Sequence, residues 1–265
     1  MPVLTILKGC INLPSLNLIL MRKIASNTLG IRLFAIAMIA IGFIHIFTHH
    51  FPTGLLPVPA SLPYKLILAC ICGGLLILTG VFLFTKPESN TAAMAMAFIW
   101  LILFIAVHLP ILLAQPTNGG AWAAALEVLA FFSAALMIIA INHNYKFLSL
   151  IACILFALTL VGFGILHWVY FDYILTLIPN WIPVKPFWGW VVLIAFSGAA
   201  ISLLVAQWLR ISMLLLNCMF LIWAIVLHIP RVVQLKAEPE WTSLFVAIAM
   251  AGIAQIAYSA RKTSL

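Results

Sequence analysis

The chain is written as long apolar runs of about twenty residues, each closed by a short polar or proline-containing stretch. Eight such runs fall at 31–48, 64–85, 91–114, 121–141, 148–171, 187–208, 211–230 and 241–260. Each is near the length that carries a helix across about 30 Å of hydrocarbon. A helix satisfies its backbone hydrogen bonds internally, so these runs predict transmembrane helices; the short alternating segments of a membrane β-barrel are absent. Breaks fall at Thr85–Asn90, Gln115–Gly120, Asn142–Lys146 and Lys236–Glu240, while little more than Arg210 parts the sixth run from the seventh. The prolines cluster at the ends of the runs, so no span is expected to be broken at mid-depth. Residues 1–30 are expected to form an N-terminal cytoplasmic segment. Within it, Pro2, Lys8 and Pro14 make residues 1–20 a poor span, no signal-peptide cleavage site is present, and Met21 reads as an alternative start to Met1.

Composition sharpens this picture. The chain is 66% hydrophobic and 7% charged, with mean hydropathy +1.26. Soluble domains carry about 25% charged residues, and disordered chains are far less apolar, so both classes are excluded. The net charge of +8 comes from single, scattered Lys and Arg residues, which make no nucleic-acid-binding patch. With a cytoplasmic N-terminus, nine of them lie inside (Lys8, Arg22, Lys23, Arg32, Lys86, Lys146, Arg210, Arg261, Lys262) and four outside (Lys65, Lys185, Arg231, Lys236). The positive-inside rule therefore predicts a multi-pass cell-membrane protein with both termini cytoplasmic. The five cysteines form no CxxC pair and mostly sit inside apolar runs, as small buried residues.

The second half repeats the first. Gly42-Phe-Ile-His45 recurs as Gly164-Ile-Leu-His167, and Leu55-Leu-Pro57 as Leu177-Ile-Pro179, both 122 residues on. His108-Leu-Pro110 recurs as His228-Ile-Pro230 at an offset of 120, and Trp122 as Trp241 at 119. The expected fold is all-α: eight transmembrane helices as two parallel four-helix bundle repeats, at 31–141 and 148–260. Four spans per repeat make both repeats enter the membrane the same way, related by an axis along its normal.

The candidate chemistry follows the repeat. His45, His108, His167 and His228 form two repeat-related pairs near the outer ends of the odd-numbered spans. Imidazole titrates near neutral pH and ligates metals, so such a layer suits a metal, a quinone headgroup or an anionic small molecule; equally, each ring can bond water or a loop carbonyl at the interface. His45 and His49 stand at i, i+4, the only pair with ligand spacing, but Phe171 takes the place of His49 in the second repeat and no further ligand completes a metal set. Glu127 is the one acid expected within a span, and its repeat counterpart is Val246. An ionisable group at that depth faces the protein interior and needs a partner, for which the outer histidines and Arg231 are the candidates. The proline-rich outer loops, Pro52 to Pro63 and Pro179 to Pro186, are expected to fold back over the outer end of the bundle. No Walker loop, HExxH or CxxCH is present.

Gly164-Ile-Leu-His167, the proline-bracketed Ile178-Pro-Asn-Trp-Ile-Pro183 and the small-residue span that follows resemble the DoxX-like membrane proteins. The first half keeps Gly42 and His45, but its loop, Pro57-Val-Pro59-Ala-Ser-Leu-Pro63, lacks the tryptophan. The family unit is a four-helix bundle, so the resemblance implies a tandem fusion of two units over roughly 31–260. The name-giving members are implicated as membrane subunits of a thiosulfate:quinone oxidoreductase, although no cysteine here takes a motif position. The resemblance implies a quinone-linked redox membrane component, with the lipid bilayer, a quinone and a redox partner subunit as partners. Its site would be the outer histidines with Glu127. The alternatives are a small-solute carrier and a non-catalytic membrane assembly protein.

Overall fold

The computed structural model describes residues Leu13–Leu265, with side chains described from Asn27 onward. The regular structure of the described residues is all helix, with no strand among them. Eight helices are long and apolar enough to cross a membrane, and a short ninth joins two of them. They are α1 (Leu13–Thr48, of which Asn27–Thr48 is the span), α2 (Lys65–Thr85), α3 (Asn90–Ala114), α4 (Gly119–His143), α5 (Lys146–Val169), the short α6 (Phe171–Leu177), α7 (Lys185–Val205), α8 (Leu209–Leu235) and α9 (Glu238–Ser264).

The apolar runs thus become spans, with corrected edges. The expected N-terminal segment at 1–30 is helical from Leu13 and runs unbroken into the first span, whereas Met1 to Asn12 lie outside the described residues. The turn between α7 and α8 falls at Ala206-Gln207-Trp208, not at Arg210. Ala206 and Trp208 take left-handed φ of 58° and 51°, and the Ser212 hydroxyl donates to that of Ser202 at 2.6 Å across the turn. Elsewhere the polar breaks act as helix caps. Ser89 accepts from the N–H of Ala92 and Asn118 from that of Ala121, each satisfying a donor that the first turn leaves free.

All the spans are continuous, as expected, but two are not regular α-helix throughout. In α3 the stretch Phe104–His108 is a π turn, and in α8 so is Ala224–His228. Pro110 and Pro230 explain both. Each lacks a backbone N–H and crowds the preceding turn. The wider turn carries the chain past the proline, with Leu109 N–H reaching Phe104 O and Ile229 N–H reaching Ala224 O.

The core sits around α4 and α9, the two most buried spans. Both are alanine-rich on their buried sides, as at Ala130, Ala134, Ala254 and Ala257. Lipid gives helices no hydrophobic reason to associate, so close van der Waals packing between small residues does the work. α4 and α9 touch each other; α1 packs on α9 and α5 packs on α4, so the first span of each half lies against the last span of the other. The contacts are tight at glycines. A Cβ at Gly252 would stand 2.6 Å from Gly30 O, and a Cβ at Gly42 would stand 2.6 Å from Gly73 O. Polar ties close the two ends. Glu238 accepts from Thr53 N and Oγ1 at 3.2 and 3.1 Å at the histidine-bearing end. At the other, buried Arg261 donates to Leu203 O at 2.7 Å and Leu204 O at 3.2 Å, satisfying carbonyls at the C-terminus of α7.

The loop after α1 folds back as expected, burying Phe51, Leu55 and Leu56. Its counterpart after α5 begins with α6, which the hydrophobic pattern does not foreshadow; it too folds back, burying Ile178 and Ile182 and leaving Leu177 half-buried.

Candidate functional site

His167, His228 and Glu127 line one cavity of about 310 Å³ inside the second half of the bundle. α5 supplies His167, α8 supplies His228 at the end of its π turn, and α4, from the first half of the chain, supplies Glu127. Phe163, Phe196, Phe220, Trp188 and Trp223 make up much of the wall. A mostly apolar cavity with a few convergent polar groups is the ordinary form of a small-ligand site.

Local structure aims each polar group. His167 Nδ1 bonds Phe163 O, one turn back, at 3.0 Å, which fixes the ring and leaves Nε2 as its remaining polar atom. The ring stands edge-on to Phe196, centroids 5.1 Å apart. His228 Nδ1 is buried and has no hydrogen-bond partner. The Glu127 carboxyl is in no salt bridge. The one ion pair among the described side chains joins Arg231 to Glu240. A protonated carboxyl donates one hydrogen bond and accepts others, an ionised one only accepts, and a neutral imidazole does one of each. The three groups can therefore hold a ligand that carries both donors and acceptors.

Arg231 is not the partner of Glu127. Its Nε and Nη2 donate to the two carboxylate oxygens of Glu240, both at 2.7 Å, in a bidentate pair. α9 begins two residues earlier than Glu240, which brings that carboxylate beside the end of α8. Arg231 lines a separate polar vestibule of about 470 Å³ with Thr176, Asn180 and Gln234, at the loop end of the bundle.

In the first half, His45 and His108 repeat the local geometry without the cavity wall. His45 Nδ1 bonds Ile41 O at 2.8 Å, again one turn back, and His108 again ends a π turn. Both rings are buried, and each Nε2 lacks a partner. The space beside them is packed. Phe51 stacks edge-on to His45 at 5.5 Å, Trp100 lies 4.9 Å from Phe131, and Phe131 lies 6.1 Å from Phe34. At the repeat offsets, Phe220 stands for Trp100, Met250 for Phe131 and Ala247 for Val128, and all three line the second-half cavity.

The spacing argument for His45 and His49 fails. α1 ends at Thr48, and His49 turns away in a left-handed conformation, φ 58°, exposed to the surroundings. The pair therefore does not share a helix face. Among the described residues, no three His, Cys, Asp or Glu side chains gather as metal ligands would. Residues that the sequence reading did not single out include Phe220, Met250 and Trp223. Their role is one of volume, which shows only once four helices are placed together.

Comparison with protein-family models, with curated proteins and with solved structures finds no match for this chain.

Proposed function

We propose that the chain is a quinone-linked redox component of the cell membrane, built from two DoxX-like four-helix units with both termini cytoplasmic. The observation that carries this reading is the convergence of His167, His228 and Glu127 in one apolar-walled cavity. A quinone ring offers two acceptor oxygens, and its quinol form two donors, which suits imidazole and carboxyl groups as hydrogen-bond partners. Reduction of a quinone takes two electrons and two protons. Glu127 and the histidines are the proton-handling groups, and a redox partner subunit exchanges the electrons.

The unit duplication is supported by features that recur at the repeat offset: the Nδ1 bonds of His45 and His167, and the π turns that end at His108 and His228. The exchange of first and last spans between the halves fits an axis along the membrane normal. The nine-to-four split of Lys and Arg supports the orientation.

A carrier for a small solute is the second reading. The paired π turns favour it, because they loosen regular helix beside a polar site, where alternating-access proteins place irregular backbone. The two readings separate in one preparation. Purified protein in mild detergent is extracted and its retained molecules weighed by mass spectrometry, and proteoliposomes holding only this protein are assayed for solute uptake. Retained quinone, lost in His167→Ala and Glu127→Gln, supports the redox reading; solute uptake with no retained quinone overturns it.

A further inference from the structure

We infer that the ligand of this cavity carries a long hydrocarbon chain and reaches its site sideways from the bilayer, between α7 and α8. The inference rests on the cavity's being a headgroup site, as proposed above, and adds the path and the ligand class. A second, larger hollow of about 730 Å³ lies between α7 and α8. Its lining is apolar along most of its length, from Ile194 and Gly198 to Leu215 and Ile222, side chains that stand exposed on the outside of the bundle. Its one hydroxyl lining residue, Ser212, already donates to Ser202 at 2.6 Å. Beyond the Trp181 and Trp223 indoles and the Cys218 thiol, the hollow offers a polar molecule little to bond, whereas its apolar walls suit a hydrocarbon chain.

The hollow and the cavity adjoin. Trp188, Met219 and Trp223 line both. The two indoles meet edge to face at 6.4 Å, so this seam is closed by two side chains on neighbouring helices and opens if their rings rotate apart. A ring headgroup beside His167 and Glu127 then has an apolar route for its chain, past the parted tryptophans into the groove. The cavity alone, at about 310 Å³, is at the lower end for a ligand site, and the groove more than doubles the space. The first half lacks the tryptophan pair: Leu103 takes the place of Trp223 at the offset of 120, and the offsets of 122 and 120 put Leu66 or Leu68 in the place of Trp188.

Gly198 permits a test, because a Cβ added there meets nothing within 4 Å. Gly198→Phe places a ring in the groove. Binding of a long-chain ubiquinone and of the same benzoquinone ring without its chain is measured on full-length protein in nanodiscs. The expected result is that the long-chain form binds at least tenfold more tightly. Gly198→Phe should erase that advantage and leave the chainless ring unchanged, while Glu127→Gln weakens both alike. Equal binding of the two forms, or a long-chain affinity that Gly198→Phe does not alter, overturns the lateral path and leaves the headgroup site standing. Displacement of a co-purified phospholipid by Gly198→Phe, with quinone affinity unchanged, also overturns it and assigns the groove to bilayer acyl chains. Failure of both quinones to bind the unsubstituted protein removes the headgroup reading and this inference with it.

Discussion

The two halves of the molecule place the same histidines in the same local settings and then treat the space between them differently. In the first half, Trp100, Phe131 and the returning loop fill the interior, and His45 and His108 are sealed in with unpartnered Nε2 atoms. In the second, Phe220, Met250 and Ala247 stand in for larger residues, and a cavity remains. The acid in that cavity, Glu127, comes from the first half, and Val246 stands at its counterpart position. A repeated motif therefore does not make a repeated site. Helix geometry follows the histidine and proline positions, whereas the cavity follows the summed volumes of side chains from four helices, and that sum differs between halves.

The sharpest way to break the comparison is to give the second half the filling of the first. Phe220→Trp, Ala247→Val and Met250→Phe together should close the cavity and cut retention of any bound quinone at least a hundredfold, read by mass spectrometry of purified protein. Overpacking typically costs about 1–3 kcal/mol, so the protein should still fold. Next in size is loss of the polar contacts. His167→Ala or Glu127→Gln should weaken quinone binding by roughly 10–100-fold, the range for a hydrogen bond to a charged or strongly polar group, while His45→Ala changes it less than about twofold. A titration of quinone into nanodiscs compares all three.

The glycine contacts probe packing without touching the site. Gly252→Ala drives a Cβ against Gly30 O and the Phe34 backbone nitrogen, at 2.6 and 2.8 Å, and should lower stability by about 1–3 kcal/mol. Gly74→Ala, where nothing lies within 4 Å, should be close to neutral in the same thermal-shift measurement. The smallest effect on binding is expected at Arg231. Its side chain is 34% exposed but that of Glu240 only 11%, so Arg231→Ala, which leaves the carboxylate without its partner, should cost about 1–3 kcal/mol of stability. It should leave quinone binding unchanged, because the pair belongs to the vestibule and not to the cavity.

Much of the fold was legible in the sequence because membrane spans announce themselves by length and apolarity, and every expected span is present. The histidines were legible as candidates because they recur in pairs at offsets of 122 and 120, and Glu127 because an acid within an apolar run must face the protein interior. Three things were hidden for physical reasons. Arg231 and Glu240 are nine residues apart, and their pairing depends on a two-residue turn between α8 and α9 that composition places too loosely. The i, i+4 spacing of His45 and His49 assumes a helix that in fact stops at Thr48, shortly before the Phe51-Pro52 step, where proline disfavours helix in the residue before it. The π turns themselves leave no mark in the hydrophobic pattern, and the expected span end at Pro230 falls short of the helix, which runs on through the π turn to Leu235.

Counting the quinone retained per chain tests the asymmetry most directly. Protein purified in mild detergent is extracted and quantified by mass spectrometry alongside His45→Ala and the triple filling variant of the second half. The expected result is one quinone per chain in the unsubstituted protein and in His45→Ala, and none in the filled variant. Two quinones per chain, loss in His45→Ala with retention in the filled variant, or phospholipid alone in every sample would contradict a single open site in the second half.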